Sequence, residues 1–317
     1  VVEDNIEFIH SDNGLQIHYV SSQTEFNKIP GCPIGYWVSD NVLRIYNEPF
    51  IKENFIVKEG LKTGDNDRFI RQWNEISWSK FNKKWYPHTK GGPIRRWYGN
   101  NEDVLNYENN GHELSAFSGS SLTGENNYFK KYVTYGRIGS GKFSSRYTPE
   151  GFIPNMAGLS ILPLDNNDMY HVLAVSNSKL FQYLLGIQNP TLNNPPGVIG
   201  SMPCFKKSSR TDEIAKENVY ISKHDWDAHE TSWDFRRNEL LSIDEETYIQ
   251  NINWQVEKHF KATGEQICID PAAPQFDSLE WCYEQYKEKW ERMFTQLHEN
   301  EEELNRHFID IYGLQEE

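Results

Sequence analysis

The hydrophobic pattern of this chain changes its period near residue 240, and that change constrains the fold more than any other feature. From there on, apolar residues recur at intervals of three and four, which is the spacing of one face of an α-helix. The first helix is predicted to begin at Ser242 and Glu245, which have the spacing of a capping box, and to end at Gly264. Its apolar face consists of Ile249, Ile252, Val256 and Phe260.

A second helical pattern follows a proline-rich break at residues 271–274 and contains a polar turn around Asn300. Glutamate and lysine fill most of its other positions, as on the solvated face of an amphipathic helix. We therefore predict an antiparallel helix pair that offers an apolar face to a partner surface. The apolar positions of the second helix are Leu279, Tyr283, Tyr286, Trp290, Met293, Leu297, Leu304, Phe308 and Ile311.

The preceding part of the chain has a different pattern, with short apolar runs between segments rich in Gly, Asn, Trp and Tyr. This is typical of strands joined by long loops. An Asp-Asn-Gly turn at residues 12–14 predicts a hairpin, and residues 177–185 predict one helix capped by Asn177 or Ser178.

Together these patterns predict an α+β fold, with a mixed-sheet domain over residues 1–215 and an α-helical region over residues 216–317. A chain of 317 residues buries a sizeable core without a metal or disulfide, and its four cysteines have no ligand or disulfide spacing. No apolar run reaches the length of a membrane span and no signal peptide is evident, so we expect a cytoplasmic protein without a membrane partner. The chain begins without methionine, which suggests a part of a longer protein.

The net charge of −14 conceals a strong segregation of charge along the chain. Residues 239–317 contain 19 Asp and Glu against 6 Lys and Arg, a net charge of −13. Residues 58–99 contain 10 Lys and Arg against 4 Asp and Glu, a net charge of +6, and residues 128–147 contain five more cations and no acid. The basic middle of the chain indicates a surface for a polyanion, although two solvated basic loops fit the charges equally well.

One glycine-rich segment, residues 136–142, nearly matches the phosphate loop of nucleotide-binding proteins. Phe143 stands where that loop needs a magnesium-binding Ser or Thr, and Pro149 disfavours the helix that should follow. We therefore expect no nucleotide site, and a flexible loop whose Lys142 and Arg146 would suit the phosphates of a nucleic acid.

Two other segments resemble functional motifs without completing them. Residues 194–197 resemble the [DN]PP[YF] motif of amino-methyltransferases, but Gly197 cannot stack on a flipped base, so a plain loop is expected. Residues 224–230 contain two histidines and three acids, but the histidines are five residues apart and do not align on a helix. We interpret this stretch, with Trp226 and Trp233, as a packing segment without a metal.

The segment Gly60-Leu61-Lys62-Thr63-Gly64-Asp65-Asn66-Asp67-Arg68-Phe69 differs in kind. Its turn formers present backbone amides, a hydroxyl and the Asn66 amide beside Lys62 and Arg68, and such groups contact phosphates and base edges. By composition alone, an ordinary loop remains the alternative.

This segment resembles the G-[IL]-x-T-G-x-N-x-x-F signature in the recognition regions of adenine methyltransferases. Further segments narrow the resemblance: residues 85–92, 95–100, 222–227, 230–235 and 303–315. In this order they resemble the PglX family, the adenine-specific DNA methyltransferases of BREX phage-defence systems.

The resemblance implies N6-adenine methylation of double-stranded DNA with S-adenosylmethionine as cofactor. The cofactor motifs and catalytic [DN]PPY would lie in a missing N-terminal domain, so this chain would supply target recognition and contain no catalytic residue. That catalytic domain and other BREX components would be its protein partners, and the acidic helices would pack against one of them. Trp73, Trp85 and Trp97 would support the DNA-facing loops. The residues expected to bind DNA are Lys62, Thr63, Gly64, Asn66, Arg68, Lys90, Arg95, Arg96, Lys142 and Arg146.

Two alternatives remain open from the sequence. A fused restriction-modification enzyme would share the recognition loops and carry a nuclease upstream. A protein-interaction module would use the aromatic residues for a partner and would not bind DNA.

Overall fold

The computed structural model describes residues 6–11, 14–19, 27–35, 37–139, 142–165, 168–269 and 274–316. The strands in these ranges are β1 (Ile6–Ser11), β2 (Gly14–Tyr19), β3 (Phe55–Lys58), β4 (Ile70–Gln72), β5 (Trp85–Thr89), β6 (Asp103–Asn106), β7 (Tyr132–Gly136), β8 (Ser145–Thr148), β9 (Ile153–Pro154) and β10 (Gly158–Pro163). The α-helices are α1 (Asp40–Ile45), α2 (Ile51–Asn54), α3 (Asn66–Phe69), α4 (Glu108–Ser115), α5 (Met169–Asn177), α6 (Lys179–Gln188), α7 (Pro196–Gly200), α8 (Ser209–Asp227), α9 (Glu245–Thr263) and α10 (Leu279–Tyr312). This combination confirms the α+β class.

The strands form a hairpin and two four-stranded sheets. β1 and β2 are antiparallel, which confirms the predicted hairpin, and Asp12 and Asn13 of its turn lie outside the described residues. The first sheet has the order β3-β10-β7-β8 and is antiparallel throughout. The second has the order β4-β6-β5-β9, in which β9 runs parallel to β5. Because β10 follows β9 after residues 155–157, this short segment connects the two sheets.

The main core lies between the first sheet and helices α5 and α6. α8 packs on α5, and the C-terminal half of α10 closes the same core. Leu304 and Phe308 of α10 are fully buried, and the Phe308 ring lies 5.0 Å from that of Phe205. Burial of each such side chain contributes about 1.5–3 kcal/mol. The predicted domain boundary after residue 215 falls inside α8, and the C-terminal helix shares the main core.

A smaller core stabilises the second sheet and the loops around it. Leu61 and Phe69 are buried from the segment before β4, and Leu105 and Ile153 are buried from β6 and β9. The segment of residues 60–69 is therefore anchored at both ends by apolar side chains.

The sequence correctly predicted the start of α6 and the end of α9. Ser178 caps α6, since its hydroxyl accepts a hydrogen bond from the Phe181 amide at 3.1 Å. Gly264 ends α9 in the left-handed conformation, as expected. The predicted start of α9 was wrong, because Asp244 rather than Ser242 accepts the capping hydrogen bond from Thr247, at 2.9 Å.

The predicted arrangement of the C-terminal helices was also wrong. α9 and α10 run parallel, because Asn251 contacts Gln285 and Lys258 contacts Glu291, at a nearly constant offset in sequence. The two helices are separated by the fifteen residues 264–278. A chain of that length can reach roughly 50 Å, which is more than the length of α9, so a parallel arrangement is possible. α10 is also unbroken at Asn300, whose buried amide donates to Asn218 instead of forming a turn.

Candidate nucleic-acid interface

Three loops that carry residues expected to bind DNA meet around residues 155–157. The Leu61 amide donates to Pro154 O at 2.9 Å, and the Met156 amide donates to Leu61 O at 3.0 Å. The Arg137 amide donates to Ala157 O at 3.0 Å. The third loop also approaches Ala157, because a Cβ on Gly91 would lie 3.3 Å from its carbonyl oxygen. We call residues 62–66, 90–94, 137–139 and 142 the three-loop surface.

A buried histidine holds the segment at the centre of this surface. His88 Nδ1 donates to Ile153 O at 2.8 Å, and His88 Nε2 accepts from Asn155 Nδ2 at 2.8 Å. The Asn155 Oδ1 atom in turn accepts from the Ala157 amide at 2.8 Å. Burial lowers the pKa of His88 to about 4, against the opposing effect of its bond to Ile153. The neutral ring therefore fixes both Asn155 and the backbone at which the loops meet.

The loop that carries the family signature divides into structural and exposed residues. Thr63 is buried, and its hydroxyl donates to Asn66 Oδ1 at 2.6 Å. Gly64 has a φ of +74°, and a Cβ there would lie 2.8 Å from the backbone of Gly119, so the position requires glycine. Lys62 and Asn66 are exposed. These four residues line an open hollow of about 320 Å³ together with residues 155–157.

Arg68 is directed toward α4 and is not among the described residues that line this hollow. Its Nη2 atom donates to Glu113 Oε1 at 2.7 Å, and its guanidinium lies 5.2 Å from the centre of the Phe117 ring. The bond from Arg68 lowers the pKa of the Glu113 carboxyl. The structure thus separates Arg68 from Lys62 and Asn66.

Arg95 and Arg96 are paired with carboxylates of the C-terminal helices. The Arg95 guanidinium binds Asp225 of α8 and lies 5.0 Å from the centre of the Trp226 ring. Arg96 Nη1 donates to Glu301 Oε2 of α10 at 2.8 Å. These arginines connect their loop to the helices, and each is already paired with a carboxylate in this arrangement.

Trp97 strengthens the same connection. Its Nε1 atom donates to Glu301 Oε1 at 2.8 Å, so Glu301 receives bonds from two consecutive residues. Trp97 is buried with a φ of +68°, and its amide donates to Ser145 O of β8 at 3.0 Å. Its position agrees with the supporting role expected for it.

The remaining cations differ in exposure. Lys142 is exposed and has no hydrogen bond or ion pair with any residue that the structure describes. Lys90 is partly exposed, 3.9 Å from Asp103 Oδ1. Arg146 is only 2% exposed, and its Nη2 atom donates to Gly91 O at 3.0 Å. Burial and the nearby Arg95 lower the pKa of Arg146 to about 10. Arg146 therefore lies beneath the loop that carries Lys90.

Sequence reasoning did not identify two exposed apolar residues of the three-loop surface. Ile94 is 51% exposed and Ile138 is 75% exposed. Both line a narrow cleft between their loops. An isoleucine within a glycine-rich polar loop was the signal available for Ile138.

The incomplete motifs have ordinary structural partners. Residues 136–142 join β7 to β8, so a strand follows the loop, and residues 140 and 141 lie outside the described ranges. The segment at residues 194–197 is no plain loop, since Pro196 begins the one-turn helix α7.

In the segment at residues 224–230, His224 Nε2 lies 2.6 Å from Glu239 Oε1. Within the described ranges, no group of three His, Cys, Asp or Glu side chains is arranged to hold a metal ion. None of the helices described has the length and apolar character needed to cross a membrane.

Comparison with known proteins identifies two relatives of this chain. No family model matches the sequence. The chain is 33% identical over 325 residues to the adenine-specific methyltransferase PglX of Lacticaseibacillus casei (strain Zhang), with 96% of the chain aligned. It is 36% identical over 253 residues to the adenine-specific methyltransferase BrxX of Escherichia coli O9:H4 (strain HS), with 76% of the chain aligned.

The chain is homologous to part of the PglX-type adenine-specific methyltransferases. This confirms the resemblance seen in the sequence motifs. The alignments cover 25% of PglX and 21% of BrxX, so the chain spans about a quarter or less of the length of these relatives.

Proposed function

We propose that this chain is the target-recognition part of a PglX-type adenine-N6 DNA methyltransferase. The observation that carries the proposal is the convergence of three loops, with Lys62, Lys90 and Lys142, around the single segment at residues 155–157. Clustered lysines on adjoining loops fit the regular phosphates of a duplex. The relatives' shared name, adenine-specific methyltransferase, supports adenine as the methylated base. DNA as the substrate and a role in BREX defence follow from the resemblance of the motifs to the PglX family.

The exposed residues differ in their proposed contacts. Lys62, Lys90 and Lys142 contact phosphates and fix the register of the duplex. Asn66 reaches a base edge, since a side-chain amide both donates and accepts hydrogen bonds in a groove. Thr63 and Gly64 shape the loop that carries Lys62 and Asn66. Arg95 and Arg96 hold the loop that carries Lys90 against helices α8 and α10.

We assign S-adenosylmethionine and the methyl-transfer chemistry to another part of the methyltransferase. In this chain the [DN]PP[YF]-like segment has Gly197 in place of the aromatic residue and leads into a single helical turn. Its residues therefore do not fit the stacking role that the motif has on a flipped adenine. The acidic helices α9 and α10 are proposed to face the catalytic part or another BREX component.

Alanine substitution of Lys62, Lys90 and Lys142 together tests the DNA surface. We expect duplex affinity to fall at least tenfold at moderate salt, and the slope of log K against log salt to fall by about 0.9 for each lost phosphate contact. Fluorescence anisotropy with a labelled duplex, for this chain and for the full-length protein, measures both quantities.

A matched control removes three lysines from the acidic helices: Lys258, Lys261 and Lys287. Both triple variants have the same net charge, so a difference between them reports position. Equal affinities of the two variants contradict the proposed surface. Absence of duplex binding by the full-length protein even at low salt favours the protein-interaction module.

A further inference from the structure

The cleft beneath the three-loop surface has properties that the proposed lysine contacts do not explain. It lies between residues 92–94 on one side and residues 136–139, 142 and 143 on the other, and has a volume of about 80 Å³. Arg146 and Lys142 line it together with apolar groups of Ile94 and Phe143. Sites for drug-sized ligands begin at about 300 Å³, so this cleft has room for a small ion only.

Arg146 is a buried cation without a counter-ion. No carboxylate of the described residues lies within ion-pair distance of its guanidinium, and its Nε atom has no hydrogen-bond partner among them. Its Nη2 atom donates to the Gly91 and Lys90 carbonyls, which are neutral acceptors. A buried charge is costly unless it is paired, so the site favours an anion over a neutral ligand.

Other groups around the cleft add positive potential. Arg95 lies near enough to Arg146 to disfavour its charged form, and the carboxylate partner of Arg95, Asp225, is already bound to it. Lys142 is exposed at the cleft and has no partner within the described ranges. The apolar groups of Ile94 and Phe143 on part of the wall lower the local polarity, which strengthens an ion pair formed beside them.

We propose that this cleft binds one phosphate group, with Arg146 as the buried cation and Lys142 as the exposed one, and that its natural ligand is a single backbone phosphate of the target duplex. The assignment to DNA rests on the proposed function. A phosphate held in a cleft fixes the position of the duplex more strictly than contacts with mobile lysines on an open surface. It also supplies the counter-ion that Arg146 lacks.

Thermal unfolding of this chain with inorganic phosphate tests the site, with chloride at equal ionic strength as the reference. Phosphate is expected to raise the Tm in a saturable manner, because a ligand that binds only the folded state stabilises it. Arg146→Gln keeps a donor for the Gly91 carbonyl and removes the charge, so its Tm without phosphate stays within a few degrees and the phosphate-dependent rise is lost. Lys142→Ala is expected to need about tenfold more phosphate for the same rise.

Lys258→Ala serves as the control, since Lys258 lies on α9, pairs with Glu291 and does not line the cleft, and its response to phosphate should equal that of the unmodified chain. No rise of the Tm with phosphate, or an equal rise in Arg146→Gln, overturns the phosphate site. If Arg146→Gln does not fold, Lys142→Ala at the exposed edge carries the same comparison.

A duplex with one methylphosphonate at successive positions tests the DNA assignment in the full-length protein. One position is expected to reduce affinity at least tenfold, and this penalty should shrink in Lys142→Ala and disappear in Arg146→Gln. If phosphate raises the Tm while no position shows this coupling, the ligand is a free anion and the DNA assignment is wrong. Duplex binding that persists with no coupled position and no response to phosphate leaves the proposed function standing and overturns this inference alone.

Discussion

Thr63 and Asn66 illustrate how a buried side chain orients an exposed one. The hydroxyl of Thr63 donates to Asn66 Oδ1, which turns that oxygen toward the protein and leaves the two N–H groups of Nδ2 available. Asp65 holds the next turn by accepting from the Arg68 amide at 3.1 Å. The loop is therefore organised before any ligand reaches it, which reduces the entropy lost on binding.

Thr63→Val tests this organisation. The substitution keeps the shape of the side chain and removes the hydroxyl, so we expect a loss of about 1 kcal/mol in the free energy of unfolding. Duplex affinity should fall several-fold, because the Asn66 amide is no longer held. Urea unfolding and anisotropy measure the two effects. Thr63→Ser retains the hydroxyl and should preserve duplex affinity. If Thr63→Ser binds the duplex as weakly as Thr63→Val, the hydrogen-bond explanation is wrong.

His88 makes the stability of the chain dependent on pH. Its pKa is about 4 in the folded protein and about 6.5 when unfolded, so below pH 6.5 the unfolded chain binds a proton that the folded chain does not. The stability contribution is present above pH 6.5 and is lost as the pH falls toward 4. Between pH 7 and pH 5 we expect His88 to account for a loss of about 2 kcal/mol in the free energy of unfolding.

Urea unfolding at pH 7 and pH 5 measures this loss. His88→Gln should have a lower stability at pH 7 and a smaller decrease on acidification. His112→Gln, at an exposed position in α4, is the control and should follow the unmodified chain. If the free energy of unfolding of His88→Gln falls between pH 7 and pH 5 as much as that of the unmodified chain, the pH dependence comes from other groups.

At the scale of elements, α10 is a support for the recognition loop as well as part of the core. Glu301 accepts from Arg96 and Trp97, and Asp225 of α8 binds Arg95. These bonds join segments that are 130 to 205 residues apart in sequence. Because the same loop carries Lys90, the helices determine where one of the proposed phosphate contacts lies.

A double-mutant cycle of Arg96→Ala and Glu301→Ala tests this support. Charge-assisted hydrogen bonds of partly exposed groups predict a coupling of about 1–2 kcal/mol in the free energy of unfolding. Glu301→Ala should also weaken duplex binding while the salt dependence stays the same, because Glu301 itself contacts no phosphate. A changed salt dependence in this variant would place Arg96 on a phosphate, as the sequence first indicated.

The sequence predicted those elements that depend on local signals. The β1–β2 hairpin, the cap of α6 at Ser178 and the end of α9 at Gly264 are each fixed by residues within a few positions of one another. The meeting of the loops at Ala157 and the carboxylate partners of Arg95 and Arg96 depend on contacts distant in sequence. A single sequence therefore showed which residues were basic, but not which of them were already paired.

At the scale of the whole molecule, the charge segregation seen in the sequence acquires a structural meaning. The basic middle of the chain supplies both sheets and the three-loop surface, while much of the acidic C-terminal part lies on α9 and α10. Several lysines of these helices are themselves paired with glutamates, for example Lys258 with Glu291 at 2.7 Å. In the proposed arrangement, the net negative charge of α9 and α10 acts on DNA through long-range repulsion.

Neutralising three exposed acids of this region, with Glu265→Gln, Asp277→Asn and Glu280→Gln, separates long-range repulsion from contact. At about 20 mM salt we expect faster association with a duplex, because the repulsion is weakly screened. At about 200 mM salt the difference should vanish, since the Debye length is then below about 10 Å. The dissociation rate should stay unchanged at both salt concentrations. Stopped-flow anisotropy measures both rates, and a change in dissociation, or an effect that persists at high salt, would place these acids at the DNA interface and contradict the proposed arrangement.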